Sequence, residues 1–308
     1  KSAGMKLIEV QNITKKYANH TALKNVTFSI ETGTIFGLLG PNGAGKTSLI
    51  RILNQISYPD EGQILFNGHI LSPKDVESVG YLPEERGLYK KMKVGEEALY
   101  LAQLKGVPKR TALERLHYMF RKFEIESWWD KKVEELSKGM QQKVQFITTI
   151  IHKPSLLILD EPFSGFDPIN TNIIKEEIIK LKEQGTTIIL STHNMTSVEE
   201  ICNDIVLINK SQKVLEGNVA QLRQQYKTHQ FNVEIDKTNI EIPENFGFKI
   251  LAQKEEYNRT LLTLQLTTEY NSNQLLTQLM PYGNITNFQE ILPSMNEIFI
   301  QAVNENRK

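Results

Sequence analysis

A glycine-rich segment near the amino end of the chain carries residue types that bind phosphate. It reads Gly40, Pro41, Asn42, Gly43, Ala44, Gly45, Lys46, Thr47, Ser48. The glycines let the backbone curl so that several N–H groups point inward, and the positive end of a following helix adds attraction for anions. In the P-loop template that this spacing fits, the lysine meets the β- and γ-phosphates and the next hydroxyl binds Mg²⁺. We therefore predict that this segment binds a nucleoside triphosphate with magnesium.

Two adjacent carboxylates follow a second apolar run. Residues 156–159 are all leucine or isoleucine, and Asp160 and Glu161 come directly after them. Ligands gather at the carboxyl ends of buried parallel strands, so we expect both side chains at the nucleotide site. Asp160 is predicted to hold Mg²⁺, and Glu161 to act as the general base that polarises the attacking water. The alternative, a solvated acidic loop, leaves charges next to a buried run without a partner.

The spacing of apolar residues indicates the elements that position these groups. Residues 35–39 form an apolar run that predicts a buried strand leading into the glycine loop, and a helical stretch follows it. The runs 156–159 and 187–190 are separated by a helical pattern over 170–183, which predicts a parallel sheet. Short β segments are predicted over 7–34. A helical subdomain is predicted at about residues 90–155.

The pattern changes after Tyr226. Strands are predicted at 231–235 and 261–266, and helices at 271–280 and 294–303. We therefore predict two domains, a nucleotide-binding α/β domain over residues 5–227 and a small α+β domain over residues 228–308. Residues 1–4, before Met5, resemble a remnant of tag removal.

Composition narrows the function classes. The chain has 308 residues with 36 basic and 36 acidic side chains, so no overall charge draws it to nucleic acid. Its longest apolar runs, such as 144–151, fall short of the roughly 20 residues that cross a bilayer, and no membrane span is predicted. The single cysteine, Cys202, is interpreted as a packed side chain, and a reducing cytosol is the expected compartment. The histidines lack metal-ligand spacing, and no zinc site is expected.

One further segment indicates which family of P-loop proteins the chain resembles. It reads Leu136, Ser137, Lys138, Gly139, Met140, Gln141, Gln142 and precedes the acidic pair. This segment is similar to the signature loop of ABC transporter nucleotide-binding domains, which the first 225 residues or so resemble continuously. In that family the loop contacts the ATP of a partner cassette, so the resemblance implies that Ser137 and Gly139 bind ATP in trans. Lys138 and Met140 stand where glycine and glutamine are commonest.

The resemblance assigns four more residues. Asp167 ends a segment similar to the loop through which two cassettes communicate, and His193 matches the switch histidine that hydrogen-bonds the γ-phosphate and the attacking water. Tyr17 matches the aromatic residue that stacks on adenine, although such a tyrosine read alone is more often ordinary packing. Glu84 stands where glutamine is usual. It is expected at the magnesium site, where its carboxylate accepts a hydrogen bond from Mg²⁺-bound water and its charge near the phosphates alters the site's pH and metal preferences.

The resemblance implies a fold, an activity and partners. The fold is an ABC cassette of the P-loop NTPase class, with a RecA-like core and antiparallel β and helical subdomains. The activity is ATP hydrolysis that powers transport, with ATP and Mg²⁺ bound and no nucleic acid. The partners are a second cassette, most simply in a homodimer, and a separate transmembrane permease that holds the chain at the cytoplasmic face of the membrane. Residues 80–89 and 291–299 resemble bacterial exporters grouped with sodium-efflux and multidrug ATPases.

Three alternatives stay open from the sequence. A soluble ABC ATPase acting on ribosomes or DNA would usually carry two cassettes with a basic linker, or a long coiled coil. A regulatory module that binds ATP without hydrolysing it is less consistent with intact Asp160, Glu161 and His193. The lysines 90, 91 and 93 are either permease contacts or a solvated basic turn.

Overall fold

A computed structural model of the chain describes residues 5–85, 87–243, 247–267 and 270–305. These residues divide into two compact units, residues 5–219 with 302–305, and residues 220–301. The strands are β1 (Lys6–Tyr17), β2 (His20–Glu31), β3 (Ile35–Leu39), β4 (Glu61–Phe66), β5 (His69–Ile70), β6 (Val79–Leu82), β7 (Leu156–Asp160), β8 (Thr187–Ser191), β9 (Asp204–Asn209), β10 (Gln212–Asn218), β11 (Gln230–Ile235), β12 (Phe248–Glu256), β13 (Arg259–Leu266) and β14 (Ile285–Ile291). The α-helices are α1 (Lys46–Leu53), α2 (Val94–Leu104), α3 (Lys109–Lys122), α4 (Lys138–Ile150), α5 (Pro168–Glu183), α6 (Met195–Ile201), α7 (Val219–Gln225), α8 (Ser272–Leu279) and α9 (Met295–Glu305). The segment before Met5, interpreted as a tag remnant, lies outside the described residues.

The first sheet of the larger unit is antiparallel, with the order β2-β1-β4-β5. The prediction of β structure over 7–34 is confirmed, but the segments are not short, because β1 and β2 each run for 12 residues. Asn12 and Asn25 adopt φ values of +53° and +52° inside these strands. The pairing register shifts around both residues. Such bulges break the alternation of side chains without ending the strand.

The second sheet positions the predicted site. Its order is β10-β9-β3-β8-β7-β6, and all neighbours except β10 and β9 are parallel. Every residue of β3, β7 and β8 is buried, as expected for central strands covered on both faces. The parallel sheet predicted from the apolar runs is confirmed. The carboxyl ends of β3, β7 and β8 lie side by side, so the segments that follow them meet at one edge.

Helices α2 to α4 lie between β6 and β7 along the chain, and α2 and α3 pack around Trp129 in an aromatic cluster. The Trp129 ring stacks on His117 at 4.6 Å and meets Phe120 edge-on at 5.2 Å, between centroids. A Cβ placed on Gly95 of α2 would lie 2.3 Å from the Trp129 ring. Gly95 therefore lets the indole pack directly against the helix backbone.

The smaller unit contains a four-stranded antiparallel sheet with the order β12-β13-β11-β14. Apolar residues alternate inward along β11 and β13 and pack with Leu275 and Leu279 of α8. The predictions of β11, β13, α8 and α9 are confirmed. Strands β12 and β14 were missed because almost all of their residues are partly or fully exposed, which leaves no two-residue apolar alternation to detect.

Among the described residues, no helix combines the length and apolar character of a membrane span. Cys202 follows α6 and is buried, and burial raises the pKa of its thiol to about 12.

Candidate nucleotide-binding site

The glycine loop follows β3 and turns directly into α1. Gly40, Gly43 and Gly45 have φ values of +148°, +76° and +117°, in the region that favours glycine. A Cβ added to Gly40 would lie 2.1 Å from the carbonyl oxygen of Ile208, and a Cβ added to Gly45 would lie 2.3 Å from the carbonyl oxygen of Ala22. A Cβ on Gly43 would meet nothing within 4 Å. The loop is therefore closely packed at its two ends and open at its middle, where a ligand can approach the backbone.

Lys46, the first residue of α1, is 8% exposed. Its ammonium group donates to the carbonyl oxygen of Gly40 at 2.6 Å and to that of Pro41 at 3.2 Å. Burial lowers the pKa of Lys46, while the carboxylates of Glu161 and Asp160 act in the opposite direction. Charge-assisted bonds to anionic oxygens are stronger than bonds to neutral carbonyls, so a phosphate would be a better partner for this ammonium group.

Asp160 ends β7 and is 7% exposed. Burial raises its pKa, the nearby carboxylates of Glu84 and Glu161 act in the same direction, and Lys46 opposes them. A cation at this position would stabilise the ionised carboxylate. The site therefore concentrates negative charge around one buried lysine.

Glu161 and His193 form a hydrogen-bonded pair. Glu161 directly follows β7 and has a φ of +48°, in the left-handed region. Its Oε1 accepts the backbone N–H of His193 at 3.0 Å and lies 2.7 Å from Nδ1 of the ring, while its Oε2 accepts the hydroxyl of Thr192 at 3.1 Å. When Nδ1 donates to the carboxylate, Nε2 carries a lone pair in the neutral ring and a proton in the imidazolium. The ring can therefore present either state to a ligand.

Most of the predicted site residues meet in one cleft of about 380 Å³. Its lining contains Tyr17, Asn42, Gly43, Gly45, Lys46, Thr47, Ser48, Glu84, Asp160, Glu161 and His193, together with His20 and Ala22. Gly40, Pro41 and Ala44 lie in the loop behind it; the N–H of Ala44 donates to Pro41 at 3.1 Å. His20 and Ala22 were not predicted as site residues. The signal for His20 was its place across a two-residue turn from Tyr17, with which it pairs.

The structure does not bring Ser137, Gly139 and Asp167 to this cleft. Ser137 caps α4 by accepting the N–H of Met140 at 3.3 Å, and Asp167 caps α5 by accepting that of Asn170 at 3.0 Å. A Cβ on Gly139 would lie 3.4 Å from the carbonyl oxygen of Gly165. The two loops are thus adjacent to each other and separate from the glycine loop of the same chain.

The donors in the cleft fit magnesium that arrives with a nucleotide. The described residues contain no group of three or more His, Cys, Asp and Glu side chains arranged to hold a metal. Thr47 and Asp160 both line the cleft and offer a hydroxyl and a carboxylate, which are hard oxygen ligands. Magnesium is commonly bound through one or two carboxylates, with phosphate oxygens and water as its other ligands.

Replacing Glu84 with Gln should move the acid limb of the ATPase pH profile to lower pH. The pKa of Asp160 is raised, first by burial and also by the Glu84 carboxylate, so activity that needs ionised Asp160 is lost as the pH falls through that pKa. Removing one neighbouring negative charge lowers the pKa, and the loss then begins at lower pH. The measurement is kcat/KM against pH. Glu85→Gln is the matched control, since exposed Glu85 does not line the cleft; an acid limb that stays in place or moves to higher pH contradicts the expectation.

The strand β3, the glycine loop and α1, with carboxylates at the end of β7, define a P-loop NTPase fold. Comparison with known proteins narrows this class. The family profile described as "ABC transporter" matches residues 23–164. A second profile, "ATP-binding protein DrrA1-3-like, C-terminal domain", matches residues 217–303.

Curated relatives match over most of the chain. An uncharacterized ABC transporter ATP-binding protein of Bacillus subtilis, YhaQ, is 38% identical over 297 residues, covering 96% of this chain and 98% of that protein. The lantibiotic transport ATP-binding protein SrtF of Streptococcus pyogenes is 33% identical, covering 68% of this chain and 90% of SrtF. A solved structure of an ATP-binding subunit of an ABC transporter superimposes with a TM-score of 0.67 at 30% identity, covering 71% of this chain and 93% of that one. The chain belongs to the family of ABC transporter ATP-binding proteins, and the predicted fold class is confirmed.

Proposed function

We propose that this ABC ATP-binding subunit hydrolyses Mg·ATP and thereby powers a separate membrane permease that exports its substrate. The observation that best supports this proposal is that Lys46, Asp160, Glu161 and His193 all line one cleft. Binding alone needs the glycine loop and its lysine, whereas hydrolysis also needs a base beside the γ-phosphate. The Glu161–His193 pair supports turnover rather than binding alone.

In the proposed reaction, Glu161 accepts a proton from a water molecule. The oxygen of that water forms a bond to the γ-phosphorus, and the bond between the γ-phosphorus and the β,γ-bridging oxygen breaks. His193 holds the Glu161 carboxylate through Nδ1 and presents Nε2 to the γ-phosphate or the water. Lys46 and the loop N–H groups stabilise the charge on the phosphates. Thr47 and Asp160 would hold a magnesium ion, which would supply further neutralisation of that charge. Tyr17, 40% exposed at the cleft, is available to stack on adenine.

We propose further that two copies of the chain close on two ATP molecules. Ser137, Gly139 and Asp167 lie outside the cleft of their own chain, so they can complete a nucleotide site only in a partner. The N-terminus of α4 offers N–H groups that favour an anion. Closure is then favoured by the γ-phosphate, and its hydrolysis removes the shared anion so that the pair opens. A homodimer makes both composite sites identical.

The proposed permease contact is a groove of about 680 Å³ formed where the loop after β6 meets α2 and α4. Its wall includes Leu88, Leu101 and Leu104, and Tyr100 beside it is 43% exposed. Burial lowers the pKa of His152 in this groove to about 4, so its ring is neutral near pH 7. In the family, a short cytoplasmic helix of the membrane subunit docks at this position, which would place the chain at the inner face of the membrane. Export is supported by the names of relatives, which include a linearmycin resistance ATP-binding protein and SrtF.

The oligomeric mass of purified Glu161→Gln protein, with and without Mg·ATP, tests this proposal. We expect a monomer without nucleotide and a dimer with Mg·ATP, measured by light scattering after size exclusion. Combining Glu161→Gln with Ser137→Arg should block that dimer, because the arginine would fill the space intended for a partner's phosphate. A monomer under both conditions would contradict closure of two copies on ATP. A dimer that forms equally without nucleotide would show that other surfaces hold the copies together.

A further inference from the structure

The side chain of Lys175, on α5, makes two unusual contacts. It is 13% exposed, and its ammonium group is hydrogen-bonded to the carboxylate of Glu200 on α6. The same ammonium nitrogen lies 5.4 Å from the centroid of the Phe163 ring. A cation so placed is attracted by the negative face of the ring, and more strongly when it is shielded from water. Lys175 therefore joins two chain segments that are distant in sequence.

These two segments carry the hydrolytic pair. Phe163 lies two residues after Glu161, and α6, which carries Glu200, begins two residues after His193. The left-handed backbone of Glu161 is a conformation that a non-glycine residue keeps only when its surroundings hold it. The contacts of Lys175 hold the segment that follows Glu161, through Phe163, and the helix that follows His193, through Glu200.

The same segment is also held by the helix that begins at the signature loop. The side-chain amide of Gln142, on α4, donates to the carbonyl oxygen of Pro162 at 3.1 Å. Residues 161–163 thus lie between Gln142 of α4 and Lys175 of α5. Both helices begin at loops, capped by Ser137 and Asp167, that are proposed to meet a partner cassette.

We propose that Lys175 is a positioning residue that fixes the Glu161–His193 pair in its productive geometry. This inference rests on the proposed function, since it needs Glu161 and His193 to carry out hydrolysis. Lys175 does not line the cleft, so it acts through Phe163 and Glu200 and not on the nucleotide. Its loss should therefore slow the chemical step and leave ATP affinity unchanged.

The test compares Lys175→Met with Lys175→Arg and with Lys180→Met. Methionine keeps much of the apolar stem and removes the charge, whereas arginine can bond Glu200 and stack on Phe163. Lys180 is the matched control, because it lies on the same helix and makes only an exposed ion pair with Glu176 at 3.8 Å. We expect Lys175→Met to lower kcat by about 10- to 100-fold with KM unchanged, as for a misplaced catalytic group. Lys175→Arg should recover most of the activity, and Lys180→Met should match the wild type.

Two further variants keep the inference testable if Lys175→Met does not fold. Glu200→Gln and Phe163→Leu each remove one of the two contacts, and both should lower kcat without raising KM. Wild-type kcat in all folded variants, or a loss of ATP affinity in parallel with kcat, would overturn the inference. Wild-type ATPase activity and its loss in Glu161→Gln are measured in the same series. If those two results fail, the proposed function is wrong; if they hold while Lys175→Met behaves like the wild type, only the positioning role is wrong.

Discussion

Replacing Glu161 with Gln is expected to lower steady-state ATP hydrolysis by about 10²- to 10⁴-fold, the range attributed to a positioned general base. The amide has nearly the same shape as the carboxylate and can still accept the hydroxyl of Thr192, which Oε2 of Glu161 accepts at 3.1 Å. It cannot take a proton from water. ATP binding should persist, because Lys46 and the glycine loop are unchanged. Phosphate release measures the turnover, and calorimetry with Mg·ATP measures the affinity.

The matched control for this variant is Glu176→Gln, which makes the same change of charge at an exposed position on α5. Its turnover should equal that of the wild type. If Glu161→Gln also turned over at the wild-type rate, Glu161 would not be the base. The remaining candidate would be Glu84, a further carboxylate in the cleft, and the double variant with Glu84→Gln would then lose activity.

The core of the site could be predicted because it depends on local sequence. An apolar run followed by the glycine spacing already requires a strand, a loop and a helix, and the run before Asp160 requires a second buried strand. Parallel strands in one sheet then place both ends at the same edge. The positions of Lys46, Asp160 and Glu161 follow from these two patterns and need no knowledge of distant contacts.

Other features depend on contacts that leave no periodic signal. Nothing in the spacing of Lys175, Phe163 and Glu200 indicates that they meet, because the contact forms only when α5 and α6 pack beside the segment after β7. The left-handed backbone of Glu161 is likewise invisible, since glutamate has no preference for it. Strand β12 was missed for a different reason: it is exposed along most of its length and pairs through its backbone.

The second large effect is expected from Lys46→Ala, which should weaken Mg·ATP binding by at least about 100-fold, consistent with the loss of more than one charge-assisted hydrogen bond. Among the described residues that line the cleft, Lys46 is the one lysine or arginine, and it faces the carboxylates of Glu84, Asp160 and Glu161. Its removal leaves these three carboxylates beside the phosphates with no ammonium group between them. Equilibrium binding of Mg·ATP measures the effect, and near-ultraviolet circular dichroism checks that the variant is folded.

Lys46→Arg separates the charge of this residue from its shape. In the wild-type structure, the Lys46 ammonium group donates to the carbonyl oxygens of Gly40 at 2.6 Å and Pro41 at 3.2 Å. A guanidinium group keeps the positive charge but is planar and larger, so it should bind Mg·ATP better than the alanine variant and less tightly than the wild type. An affinity of Lys46→Ala within about threefold of the wild type, or less than about 0.7 kcal/mol, would contradict a role for Lys46 in holding phosphate. Since Glu161→Gln should keep binding and lose turnover while Lys46→Ala loses both, the two variants together separate the binding of ATP from its hydrolysis.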